Sequence, residues 1–302
     1  MRIVVIGQAQ FGHDVLKKLI ESNKNIVGVS TPLSKNDIDT DPLSTLAKEE
    51  NIPNIPTNLL KQKEYADQFI NNFLPDLIVF AFVNNIIPKN ILDAATIGSI
   101  QYHPSLLPKY RGRSAMNWAI LNGETQTGLS IFWVDEGIDT GPILLQKDTP
   151  IEENDSVASL YFNKLYPLGI EAMLEAVELV GKGNPPKINQ DESKANYDPP
   201  FDEKYSQIDW TQNIHKIHNL IRASDPQPGA YTYIKKTKIF LYQSEKLSNI
   251  FANTKPGKII QNENGSVIIA AHEGSLKINK VKIEGHKKGP ASESLKVDDQ
   301  LG

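Results

Sequence analysis

The first hundred residues alternate unbroken apolar runs with amphipathic stretches, and this alternation restricts the fold more than any other feature. "RIVVIG" (2–7) is apolar without interruption after its first residue and closes on glycine, the pattern of a strand buried on both faces. "HDVLKKLIESN" follows with Val15, Leu16, Leu19 and Ile20 at helical spacing. "NIVGVST", "DLIVFAF" and "GSIQYH" repeat the strand pattern, with helical segments between them at "DPLSTLAKEEN", "KEYADQFINNF" and "PKNILDAA". Strands that alternate with helices predict an α/β fold with a Rossmann-like, doubly wound parallel sheet.

Beyond residue 120 the pattern changes. Two short strands, "TGLSIFWV" and "ILLQKDTPI", flank the polar loop "DEGIDTGP". One long helix is predicted from Asp155 to about Val180, with Leu160, Leu165, Leu168, Met173, Val177 and Val180 on its buried face and "GKGNPP" as its stop. Residues 186–207 are polar, aperiodic and proline-containing, and read as a linker between a domain over 1–185 and a second over 208–302. In the second, "NIHKIHNLIRAS" predicts one short helix and "AYTYI", "KIFLYQSEKL", "SVIIAA" and "SLKINKVKIEG" predict strands of a smaller, OB-like β-barrel. The buried parity switches from Leu276 and Ile278 to Val281 and Ile283, which places a bulge near Asn279 and Lys280.

With no cysteine, disulfides, a cysteine nucleophile and cysteine metal ligands are excluded. A net charge of −4 argues against whole-surface attraction to nucleic acid. No apolar run is long enough for a membrane span, and the opening residues lack signal-peptide features, so a cytoplasmic location is expected. Gly7 and Gly12 match neither a P-loop nor a dinucleotide fingerprint, and a plain strand-to-helix turn fits better. His215 and His218 lie three apart without a third ligand at a suggestive spacing, so no metal site is expected.

His103 ends the fourth strand, because Pro104 cannot continue a ladder. Open parallel sheets bind ligands beyond the carboxyl ends of their strands. Asp139, in the glycine-punctuated loop, is expected to leave the same sheet edge as His103. A carboxylate there would orient the imidazole for general acid–base work.

"HPSLLPKYRG" and "DEGIDTGPILLQ", with the opening "VIGQ...FG", "IDW" and "NLIRASDPQPGAYT", resemble the formyltransferases that use 10-formyltetrahydrofolate. The first domain is most similar to the hydrolase domain of 10-formyltetrahydrofolate dehydrogenase, through "YHPSLLP", "NW" and "SIFWVDEGIDTGPILLQ", and the second to that of methionyl-tRNA formyltransferase. The resemblance implies an enzyme with His103, Asp139 and Gln101 at the reaction centre, Gln101 standing where the family has asparagine. It implies a folate site formed by Phe82, Val83, Asn84 and Ile87, by Ser105 and Leu106, and by Asp135, Gly137 and Ile138, without a metal. Lys109 and Arg111 are candidates to meet the acidic folate tail, with solvated surface charge as the alternative.

Three readings of the acceptor follow: water or a small amine, an aminosugar included; methionyl-tRNA; or folate binding without turnover. Neither the carrier nor the aldehyde-dehydrogenase domain of the dehydrogenase is in the sequence, so hydrolysis or transfer without oxidation is expected. The tRNA enzymes carry a basic loop after the second strand. Here Asp37, Asp39, Asp41, Glu49 and Glu50 outnumber Lys35 and Lys48, which disfavours tRNA. Lysines at 235, 236, 238, 277, 280, 282, 287 and 288 weigh the other way, although lysines also protect sheet edges.

Overall fold

The computed structural model describes residues 1–32, 41–83, 86–248, 251 and 254–302. Two units emerge, one of residues 1–111, 128–148 and 165–196, the other of residues 112–127, 149–164 and 197–302. Strands and helices run in the order β1 (Ile3–Gly7), α1 (Ala9–Glu21), β2 (Ile26–Ser30), α2 (Pro42–Glu49), α3 (Lys63–Phe73), β3 (Leu77–Ala81), α4 (Lys89–Leu92) and β4 (Gly98–His103). They continue through α5 (Ala115–Leu121), β5 (Gln126–Trp133), β6 (Ile143–Pro150), α6 (Val157–Leu160), α7 (Tyr166–Gly181) and α8 (Ile214–Ser224). The chain closes with β7 (Ala230–Ile234), β8 (Thr237–Leu247), β9 (Ile259–Glu263), β10 (Ser266–Ala271), β11 (Gly274–Ile283), β12 (Gly289–Pro290) and α9 (Ala291–Ser294).

The first sheet has the order β2-β1-β3-β4-β5-β6. Neighbours from β2 to β4 are parallel, but β4 and β5 are antiparallel, so the sheet is mixed rather than wholly parallel as expected. Every residue of β1 and β3 is buried, as their unbroken apolar runs require. One sheet face carries Val4, Ile6, Ile78 and Phe80 against Phe69 and Phe73 of α3 and Ile91 of α4. On the other face, Tyr102 meets Phe11 of α1 at 4.8 Å between ring centroids. Gly7 follows from packing: a side chain there would run into the Ala81 carbonyl, so the glycine serves strand contact, in keeping with the plain-turn reading.

The predicted long helix is interrupted. A π turn over Tyr161–Leu165 separates α6 from α7. Pro167, in the first turn of α7, cannot donate to a carbonyl one turn back and its ring crowds that carbonyl; a wider turn accommodates both effects.

In the second unit the antiparallel order is β7-β8-β11-β10-β9, with β12 on β11. No ladder joins β7 to β9 among the described residues, so the expected barrel is met only as an open antiparallel sheet. Isolated bridges from Leu301 to Ile234 and from Gln300 to Lys258 tie the last residues to both ends of that order. Ile217 and Ile221 of α8 pack with Leu241, Ile269, Leu276 and Ile278 in its core. The expected bulge is a break of a different kind. Ile278 pairs with Ser244 and Lys280 with Tyr242, so no residue is inserted, and the unpaired step lies opposite Gln243, whose φ is 54°. β11 pairs with β10 up to Ile278 and with β12 from Lys280, so its neighbour changes where its buried face switches.

Phe73 is 1% exposed, and Phe69 meets its ring edge-on at 5.1 Å. Phe73→Ala is expected to destabilise the protein by about 3–5 kcal/mol, measured as a fall in the denaturation midpoint in urea.

Candidate active site

His103 and Gln101 project from β4 on the sheet face that carries Phe80, since Gln101 pairs with Phe80 across β3 and strand side chains alternate. Pro104 ends the strand and the chain turns at once, with Ser105 N donating to the His103 carbonyl at 2.9 Å. The imidazole is buried, and its Nε2 lies 2.7 Å from the Tyr110 carbonyl oxygen. A carbonyl only accepts, so Nε2 carries a proton. The other ring nitrogen, Nδ1, lies 3.4 Å from Oδ2 of Asp139, itself buried. Nδ1 is therefore the ring nitrogen without a main-chain partner, and it faces the Asp139 carboxylate.

Asp139 does not reach His103 from the expected edge. β5 runs antiparallel to β4, with Trp133 beside Ile100 and Ser130 beside His103. The loop after β5 thus leaves the sheet level with Ser99, whose carbonyl accepts from Val134 N at 2.9 Å, and folds back over the sheet face. Asp135 organises its turn by accepting from Gly137 N at 3.0 Å and Thr140 Oγ1 at 2.7 Å. Gly141 packs so closely on the Trp133 carbonyl that a side chain would collide with it. Asp139 is left-handed, with φ 57°, a conformation that aspartate tolerates better than most residues.

The other expected site residues differ in their setting. Phe82, at φ 63°, and Ile138 are 47% and 59% exposed, and Val83 and Ile87 pack partly against the α3–α4 core. Asn84 lies outside the described residues. An ion pair of 3.1 Å between Lys89 and Glu136 links the region after β3 to the Asp139 loop, though both side chains are exposed and its energetic weight is small. Ser105 supports its own loop, donating to Lys109 O at 2.6 Å, and Leu106 is half-buried. Gln101 is half-buried and its side chain has no hydrogen-bond partner among the described residues. Lys109 is exposed, but Arg111 is buried and bound by Glu192 at 2.7 and 3.0 Å and by Gln190 at 2.8 Å. Its guanidinium is thereby committed within the protein rather than open to a folate tail.

Several supports were not apparent from sequence. Ser130 accepts from Leu107 N at 3.0 Å and donates to Ser105 O at 2.7 Å, and Gln146 binds Leu107 O at 2.9 Å. Asn196 accepts from Tyr110 N at 2.7 Å, and Gln190 donates to the Asp139 and Gly141 carbonyls at 2.9 and 2.7 Å. These residues act on backbone atoms of distant loops, and no local periodicity or motif marks such a role. His218, weighed above as a metal ligand, is buried between Ser244 Oγ at 2.8 Å and the Glu153 carbonyl at 2.9 Å. No cluster suited to a metal ion occurs among the described residues.

Comparison with known proteins agrees with this architecture. Residues 1–177 match the formyl transferase family and residues 202–298 the formyl transferase C-terminal domain. The chain belongs to the formyl transferase family. It is 36% identical over 307 residues to human mitochondrial 10-formyltetrahydrofolate dehydrogenase, covering 97% of this chain but only 33% of that protein. The chain thus spans about a third of the length of that relative. It is 31% identical over 300 residues to methionyl-tRNA formyltransferase of Geobacter sulfurreducens, covering 98% of this chain and 93% of that one. The crystal structure of HypX from Aquifex aeolicus in complex with tetrahydrofolic acid shares the fold, with TM-score 0.71, 21% identity and coverage of 97% of this chain and 46% of that one. No helix among the described residues is long and apolar enough to cross a membrane.

Burial lowers the His218 pKa from 6.5 to about 4. The unfolded chain takes up this proton as pH falls below 6.5 while the folded protein resists until about 4, so stability is present above that window and lost through it. The loss attributable to His218 is about 3 kcal/mol at most. Melting temperatures from pH 7 to pH 4 should fall more steeply for the wild type than for His218→Gln.

Proposed function

We propose that the protein transfers the formyl group of 10-formyltetrahydrofolate to water or a small amine, releasing tetrahydrofolate. The observation that carries this reading is the buried contact of His103 Nδ1 with Asp139 at the carboxyl end of a central strand. The partly exposed apolar side chains of Phe82 and Ile138 give a flat pterin ring surface to cover.

In the reaction the nucleophile attacks the formyl carbon, the bond from that carbon to the folate nitrogen breaks, and the nitrogen receives a proton as the nucleophile loses one. Negative charge develops on the formyl oxygen, where donors act most strongly. His103, fixed at Nε2 by Tyr110, presents Nδ1 for the proton transfers, and Asp139 holds the ring and balances its charge. Gln101, on the same strand face, offers an amide donor to the oxyanion. It is one methylene longer than the asparagine of the family, a difference of about an ångström in donor position.

Methionyl-tRNA as acceptor is the second reading, favoured by the match along 93% of the Geobacter enzyme. Against it stands the acidic stretch after β2. Lys35, Asp37 and Asp39 lie outside the described residues, while Asp41 caps α2 through Leu43 N and accepts from Ala9 N at 2.8 Å. Binding without turnover is disfavoured because the His103–Asp139 pair is assembled.

Tetrahydrofolate release from 10-formyltetrahydrofolate, followed spectroscopically, tests the proposal. Release without an amine identifies hydrolysis; release only with one identifies an amine acceptor. His103→Ala and Asp139→Asn should each lower turnover by about 100-fold or more with folate affinity kept. Near-wild-type rates in both would sink the assignment. Gln101→Asn and Gln101→Ile should change rate or acceptor preference, and if neither does, Gln101 only fills space. A gel shift with tRNA across a salt series decides the second reading, where tight and strongly salt-dependent binding would overturn our preference.

A further inference from the structure

We propose that Gln190, held by Arg111, is a positioning residue for formyl transfer, fixing the Asp139 carboxylate against His103 through the backbone of the Asp139 loop. This rests on the assignment of His103 and Asp139 given above. Both hydrogens of the Gln190 amide nitrogen go to that loop, one to the Asp139 carbonyl at 2.9 Å and one to the Gly141 carbonyl at 2.7 Å. They therefore bracket Thr140 and hold the peptide immediately after Asp139. The same glutamine accepts through Oε1 from Arg111 Nε at 3.2 Å and Nη2 at 2.8 Å. Glu192 fills the rest of the buried guanidinium at 2.7 and 3.0 Å.

The far end of this network leads to His103. The Arg111 backbone N–H donates to the Asn196 carbonyl at 3.2 Å, and Tyr110 N–H donates to Asn196 Oδ1 at 2.7 Å. Tyr110 is the residue whose carbonyl meets His103 Nε2 at 2.7 Å. The stretch from Gln190 to Asn196 thus grips the loop that supplies Asp139 and the loop that orients His103. The separation of 3.4 Å between Nδ1 and the carboxylate depends on both grips. Asp139 has left-handed backbone geometry, which other contacts must maintain.

Residue type adds a second argument. Two carbonyls on one side require donors, and a guanidinium on the other requires an acceptor. A primary amide supplies both; a carboxylate supplies only the acceptor. Arg111 in turn donates to two partners at once, which its planar fork permits and a lysine ammonium would not reproduce. A proton-transfer pair is sensitive to displacement of about an ångström, so loosening of this amide should reach the rate.

Gln190→Glu keeps the side-chain size and the contact with Arg111 and removes both donors. In the tetrahydrofolate-release assay it should lower kcat about 10- to 100-fold. KM for the formyl donor should stay within about 2-fold, and the shape of the pH–rate profile should change. Gln190→Asn, which retains the amide but falls short, should show the same kcat-selective loss to a smaller degree; it decides the matter if Gln190→Glu does not fold. Lys194→Ala, at an exposed position of the same stretch, is the control with unchanged rate. Wild-type kcat and pH profile in either folded Gln190 variant, with Asp139→Asn inactive, would overturn this inference alone. If Asp139→Asn is also fully active, the site assignment fails first.

Discussion

A buried imidazole fixed at Nε2 by a main-chain carbonyl, with a carboxylate facing Nδ1, is the constraint around which the first unit is organised. His103 needs a carbonyl at one nitrogen and a carboxylate at the other, and it is buried, so neither partner can be water by default. No single element can present both. The carbonyl comes from a turn seven residues downstream, and the carboxylate from a loop that begins across the neighbouring strand. Both are irregular backbone, which lacks the self-satisfied hydrogen bonding of helix or strand. The polar side chains of Ser130, Gln146, Gln190 and Asn196 supply what is missing. The apolar sheet beneath contributes stability; this polar layer contributes position.

Much of the fold could be read from sequence because burial on two faces and amphipathic periodicity are local signals. β1, β3, α1 and α3 fall where their apolar patterns place them. The mixed sense of the sheet could not be read, because strand direction between β4 and β5 depends on how the intervening chain returns, and composition carries no record of that. α5 escaped notice because a seven-residue helix without a side-chain cap has little pattern to show. The π turn was hidden for the opposite reason. Apolar spacing runs on through it, and only Pro167 marks the interruption.

The site divides in the same way. His103 and Asp139 stand out because proline, glycine and charge punctuate their segments. Arg111 was conspicuous for its charge, yet its partners Gln190 and Glu192 lie about eighty residues away in a polar stretch that resembles any linker. Side chains that bind distant backbone leave no periodic trace, so the residues that brace the His103 and Asp139 loops are the hardest to find from sequence. His218 shows a role that spacing could not reveal. A histidine spaced like a ligand turns out to be a buried neutral group that joins Ser244 to a main-chain carbonyl.

The left-handed backbone at Asp139 limits how this site can drift over evolutionary time. Most side chains are strained in that region, whereas asparagine and glycine enter it readily. Relatives that keep this loop are therefore channelled toward Asp, Asn or Gly at this position. Under the role proposed for Asp139, loss of the chemistry would be written in the sequence as one substitution, while the surrounding D-x-x-x-x-T-G frame, whose aspartate and threonine bond each other, persists for structural reasons.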